Sequence, residues 1–126
     1  MSKNIAVIGT GATGSVIGGL LTAGGHDVTM IDQWGAHVNA MKESGLHISI
    51  QEEEFTVPVH AIHLYEVCQL DTLFDIIFIA CKSYDTLWLT HLIAPYLQSD
   101  GFMVSAQNSL NDEWIAPIVG HTRDIG

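Results

Sequence analysis

Residues 9–14 read Gly-Thr-Gly-Ala-Thr-Gly and join two stretches of different period. Before them, Asn4-Ile5-Ala6-Val7-Ile8 is a short apolar run, the pattern of a strand covered on both faces. After them, Val16, Ile17, Leu20 and Leu21 recur at helical spacing, and Gly24-Gly25 closes the helix. Val28-Thr29-Met30-Ile31 is a second strand, stopping at Asp32, 18 residues past Gly14. A strand, a glycine turn, a helix and a second apolar strand form one βαβ unit. Such a unit commits a chain to a parallel sheet with helices packed on its faces.

Each glycine has its own physical reason. Gly9 permits the tight turn out of the strand. Gly11 keeps a side chain away from where a pyrophosphate must approach the backbone. Gly14 lets the helix lie close to the strands. An anion then rests on the free N–H groups at the positive end of the helix. Gly9, Thr10, Gly11, Ala12, Thr13 and Gly14 are therefore the candidate dinucleotide contacts; a tight βα turn with no ligand is the alternative. Asp32 is placed to accept both ribose hydroxyls of an adenosine and to repel a 2′-phosphate. Gln33 and Trp34 supply no compensating cation. The expectation is NAD rather than NADP, the alternative being an Asp that caps the following turn.

The rest of the chain extends the same rhythm. Ala36 to Glu43 reads as a second helix, ended by Gly45. Leu46–Ile50 and Phe55–Val59 alternate around Gln51 and three glutamates. They predict a hairpin with a solvated acidic tip, at an edge because Pro58 cannot donate to a ladder. Asp75–Cys81 is the strongest strand. A helix from about Thr86 to Leu97 and a strand from Gly101 to Ala106 follow. Ser109 reads as a helix N-cap, and Ile118-Val119 as a short strand. The predicted fold is α/β, a Rossmann-type doubly wound, mostly parallel sheet with an inserted edge hairpin. Residues 1–126 are expected to form one NAD(P)-binding domain.

Composition narrows the function. The chain has 126 residues, 48% apolar and 14% charged, which fits one folded domain. Its formal charge of -10, from four basic and fourteen acidic residues, argues against nucleic acid or an anionic membrane as partner. No charge occurs from Ile5 to Gly25, but seven of those residues are glycines in an ordered pattern, which argues for a buried soluble stretch. Two cysteines, Cys68 and Cys81, suggest no disulfide framework and point to a reducing, cytoplasmic setting. His60 and His63 lack two further ligands at metal-site spacing, so no metal is expected. A Gly-x-Ser-x-Gly nucleophile elbow is absent. Lys82 ends the strongest strand, where ligands bind in doubly wound sheets. It either contacts a ribose hydroxyl or a substrate carboxylate, or is a solvated lysine. Asn108 either bonds a ligand or is a turn residue beside the Ser109 cap.

The sequence resembles the ketopantoate reductase (2-dehydropantoate 2-reductase) family from Ile5 to about Gly126. Four stretches carry the resemblance: the Gly9–Gly14 loop, Gly35-Ala36-His37-Val38 through Gly45-Leu46, Ala80-Cys81-Lys82-Ser83-Tyr84-Asp85-Thr86, and Ser105-Ala106-Gln107-Asn108. The last two are the more specific, since a generic dinucleotide domain has no need of them. The resemblance covers the family's N-terminal cofactor domain and none of its helical C-terminal domain. It implies reduction of a 2-oxo acid, ketopantoate to pantoate on the route to pantothenate, by hydride from a nicotinamide cofactor. By the same resemblance Lys82 and Asn108 are the candidate catalytic residues, each also touching the cofactor. The family's principal general acid belongs to its C-terminal domain, so a chain of these residues alone is expected to bind cofactor without turnover. Two departures stand out. Asp32-Gln33-Trp34 replaces the arginine common after the second strand of NADPH-preferring members, and Gln107-Asn108-Ser109 replaces Gln-Asn-Gly. Two other readings compete: a non-catalytic NAD-sensing regulatory module, and a folded fragment that binds nothing and self-associates as a homodimer.

Overall fold

The computed structural model describes residues 3–81 and 85–106 and the backbone of residues 124–125. The first strand, β1 (Asn4–Ile8), lies at the centre of a six-stranded sheet. It is flanked by β2 (Asp27–Asp32) and β6 (Phe74–Ile79), both parallel to it. Outside β2 lies β5 (His60–His63). Outside β6 lie β7 (Leu97–Ser105) and β8 (Asp124–Ile125). Every pairing in this sheet is parallel. With the intervening hairpin set aside, the order is the 3-2-1-4-5-6 of a doubly wound dinucleotide-binding sheet, and the order reverses between β1 and β6.

The apolar run of β1 supplies two cores at once because side chains alternate across a strand. Ile5 and Val7 face α1 (Ala12–Ala23), α2 (Gly35–Ser44) and the hairpin, packing with Met30, Val38, Met41 and Ile48. Ala6 and Ile8 face α3 (Thr86–Ile93), packing with Ile31, Ile77, Leu89 and Ile93. All four β1 residues are at most 2% exposed.

The hairpin, β3 (Leu46–Ile50) and β4 (Glu53–Val57), turns at residues 51–52 with Gln51 at φ 56. It stands as a separate antiparallel sheet and is not hydrogen-bonded to the edge of the main one. Leu46 and Ile48 sink into the core beside α1, which is why the hairpin lies over the helix layer. Glu53 and Glu54 are strand residues, so the acidic tip is shorter than the sequence suggests. The helix expected to reach Leu97 ends at Ile93. Pro95 cannot donate to the carbonyl four residues back, and Ala94–Tyr96 tightens to a 3-10 turn. Leu97 instead opens β7, pairing with Phe74, before the register shifts and Ile76 pairs with Phe102. The stretch around His60 is a full strand of the main sheet, with Ala61 and Ile62 facing opposite cores. The N-cap at Ser109 and the strand at Ile118-Val119 lie outside the described residues.

Candidate functional site

The glycine turn lies at the carboxyl end of β1, held from both sides. Gly9 N donates to Ile31 O of β2 (2.8 Å), and Ala80 N, just past β6, donates to Ile8 O (2.9 Å). Gly9 has φ +96, and a Cβ there would fall 2.5 Å from Cys81 N, so both conformation and space require glycine. Gly14 packs against the turn itself, since a Cβ on it would meet Gly9 O at 1.9 Å. Gly11 differs: its φ is -72, and a Cβ there would meet nothing within 4 Å. Gly11 is the N-cap of α1. The first helical bond runs from Ser15 N to Gly11 O (2.9 Å). No side chain caps this terminus and no acid stands in its first turn. A helix start with leading N–H groups, no capping side chain and open space at its N-cap suits the phosphates of a dinucleotide.

Thr10 carries the turn's side-chain bonds. Its N–H donates to Asp32 Oδ2 (2.8 Å), and its hydroxyl donates to the same oxygen. Its carbonyl accepts from Ser15 Oγ (2.8 Å) and lies 2.9 Å from His37 Nε2. Thr10 is buried, so its side chain shapes the loop from behind while Gly11, Ala12 and Thr13 are exposed.

Asp32 ends β2 as expected and serves two structures. Oδ2 takes both Thr10 bonds, and Oδ1 accepts the Trp34 N–H (2.9 Å), forming the turn into α2. A carboxylate offers about four acceptor positions. Three are used among the described residues, leaving one for a ligand where the sequence reading expects two ribose hydroxyls. Burial pushes the Asp32 carboxyl up. The Thr10 hydroxyl, the Trp34 and Thr10 N–H groups and nearby His37 outweigh that, so it titrates below its ordinary 3.8. The group is therefore an anion at neutral pH.

Next to Asp32, Gln33 Nε2 donates to Asp85 Oδ2 (3.2 Å), while Trp88 Nε1 donates to Asp85 Oδ1 (2.8 Å). Gln33 also lines an open cavity of about 580 Å³ with Gly35, His63, Leu64, Tyr65, Cys68 and Leu92. Burial pushes the Cys81 thiol up to about 11, so it stands protonated beside the turn. His63 Nε2 is 3.0 Å from Asn39 Oδ1, and its ring stacks on Tyr65. Among the described residues no group of three or more His, Cys, Asp or Glu is placed to hold a metal, and no helix is long and apolar enough to cross a membrane. Lys82 and Asn108 lie outside the described residues.

Sequence reasoning missed His37, Asp85 and Trp88. His37 had one local signal, its place in the first turn of the helix after Asp32. Asp85 stood in a stretch that carries the family resemblance and has Trp88 three residues on, but nothing local pointed to its partner Gln33, 52 residues away.

The sequence matches the family described as ketopantoate reductase PanE/ApbA over residues 5–125. The chain belongs to the ketopantoate reductase family. It is 27% identical over 125 residues to a 2-dehydropantoate 2-reductase of a Nostoc species, a match covering 98% of this chain and 38% of that protein. The solved 2-dehydropantoate 2-reductase of Geobacter metallireducens superposes with a TM-score of 0.82 at 27% identity, over 95% of this chain and 39% of that one. A D-mandelate dehydrogenase solved with NADH and anilino(oxo)acetate superposes with a TM-score of 0.84 at 25% identity, over 97% of this chain and 39% of that one. The chain thus spans less than two-fifths of the length of these relatives.

Proposed function

We propose that this chain is the cofactor-binding domain of a nicotinamide-dependent oxidoreductase that reduces a small 2-oxo acid, ketopantoate being the first candidate, and that it prefers NADH to NADPH. The observation that carries this reading is the pairing of an uncapped glycine-turn helix with an anionic Asp32 bonded to that same turn. Gly11, Ala12 and Thr13 would hold the pyrophosphate on backbone N–H groups, Gly11 leaving room for it. Asp32 would accept a ribose hydroxyl at its remaining acceptor position and repel a phosphate there. The nicotinamide supplies hydride when bound. Lys82 is assigned to the substrate and the nicotinamide ribose, and Asn108 to orienting them, by the family resemblance and because they follow β6 and β7 in the sequence. Residues 1–126 act as one domain in this reading. Proton donation to the ketone falls to residues outside them, so these residues alone bind cofactor with negligible turnover.

The test is a titration of the 126-residue chain with NADH and, separately, NADPH, followed by nicotinamide fluorescence. NADH binds more tightly if the reading is right. Preference for NADPH overturns the role of Asp32, and binding of neither overturns the cofactor assignment. Asp32→Ala should narrow the difference between the two cofactors. An unchanged affinity ratio in that variant removes Asp32 from cofactor choice.

A further inference from the structure

Asp85 is the N-cap of α3, where an aspartate ordinarily accepts an N–H of the helix's first turn. Here it makes no such bond. Its two oxygens are held instead by Gln33 Nε2 at 3.2 Å and Trp88 Nε1 at 2.8 Å, and Gln33 is the residue next to Asp32. The bond joins the loop after β2 to the start of the helix after β6, and so reaches across the carboxyl end of β1, which lies between those strands. Gln33, which bonds Asp85 and follows Asp32 in the chain, also lines the open cavity of about 580 Å³. Both carboxylates act on one nearby group, since Asp85 and Asp32 each disfavour ionisation of the Cys81 thiol.

We infer that Asp85 is a second cofactor-specificity residue, a carboxylate held by Gln33 and Trp88 beside the adenosine ribose, where with Asp32 it excludes a 2′-phosphate. The inference rests on the NADH-binding reading and extends it across the sheet. Asp32 alone has most of its acceptor positions occupied by the turn. A phosphate that slipped past it would still face Asp85, with Gln33 supplying an amide and no positive charge. NADH presents a hydroxyl at the same place and meets no repulsion.

Asp85→Asn keeps the shape and removes the charge. In parallel titrations the ratio of the NADPH to the NADH dissociation constant should fall by about tenfold relative to the unaltered chain, the scale of one close charge pair near a wet surface. Asp85→Ser, which caps a helix well, carries the same expectation and separates the charge from the fold. The ratio is the deciding readout, because a structural loss weakens both cofactors together. An unaltered chain that prefers NADH, combined with an unchanged ratio in both variants, overturns the role of Asp85 and leaves the cofactor reading intact. An unaltered chain that binds neither cofactor overturns both.

Discussion

Gly11 and Gly14 are three residues apart and respond differently to an added methyl group. Gly14→Ala drives a Cβ into the Gly9 carbonyl, part of the backbone that the turn cannot move. The expected cost is about 2–4 kcal/mol in urea denaturation. Gly11→Ala adds its Cβ to open space at an ordinary φ, so stability should change by less than about 1 kcal/mol. Cofactor affinity should nevertheless fall by about tenfold or more, because the methyl group stands where the phosphates approach. Comparable stability losses in both variants would show that Gly11 serves the fold alone. The same contrast explains why Thr10 and Asp32 are spent on each other: the turn must be held from the rear if its front is to stay bare.

At the scale of elements, α1 approaches both the sheet and the hairpin through two adjacent glycines. A Cβ on Gly18 would strike Met30 Sδ at 2.2 Å, and one on Gly19 would strike Ile48 Cδ1 at 1.9 Å. Alanine is the better helix former by about 1 kcal/mol, yet here the close packing of the hairpin over α1 outweighs that preference. Gly19→Ala should destabilise the chain by about 1–3 kcal/mol. Ile48→Val removes the clashing Cδ1, so a double-mutant cycle should return a favourable coupling of about 1 kcal/mol. Additive losses would mean that the hairpin does not rest on α1 as described. The hairpin was legible as a hairpin from its alternation, but its seat was not. Alternation says that one face is buried and leaves open what buries it.

Over the whole molecule, fourteen acidic residues stand against four basic ones in a chain proposed to take an anion. The attraction is local, from N–H groups at one helix start, while the long-range field of a chain at -10 repels. Salt screens the long-range part first. The association rate of NADH, measured by stopped flow, should therefore rise between about 20 and about 200 mM NaCl, by about two- to fivefold. A rate that falls with salt would place a net positive field over the site and contradict this account of its electrostatics.

The βαβ unit, the glycine turn and the acid at the end of β2 were settled by sequence alone. They depend on period and turn chemistry within about thirty residues, where spacing along the chain nearly fixes spacing in space. The doubly wound order also followed, because parallel strands linked by helices leave few arrangements. Tertiary structure decided what each polar group does with its bonding capacity. Asp32 gives most of its acceptor positions to Thr10 and Trp34, His37 reaches back to the turn, and Asp85 shares its oxygens between Gln33 and Trp88 of its own helix. It also decided that the stretch around His60 is a strand and that Pro95 stops α3 short of Leu97. The Asp32–Trp34 bond and the stop at Pro95 are local and were within reach of a sequence reading. The other cases are bonds and pairings between elements, set by sheet register and by which faces meet, and spacing along the chain does not say which partners those will be.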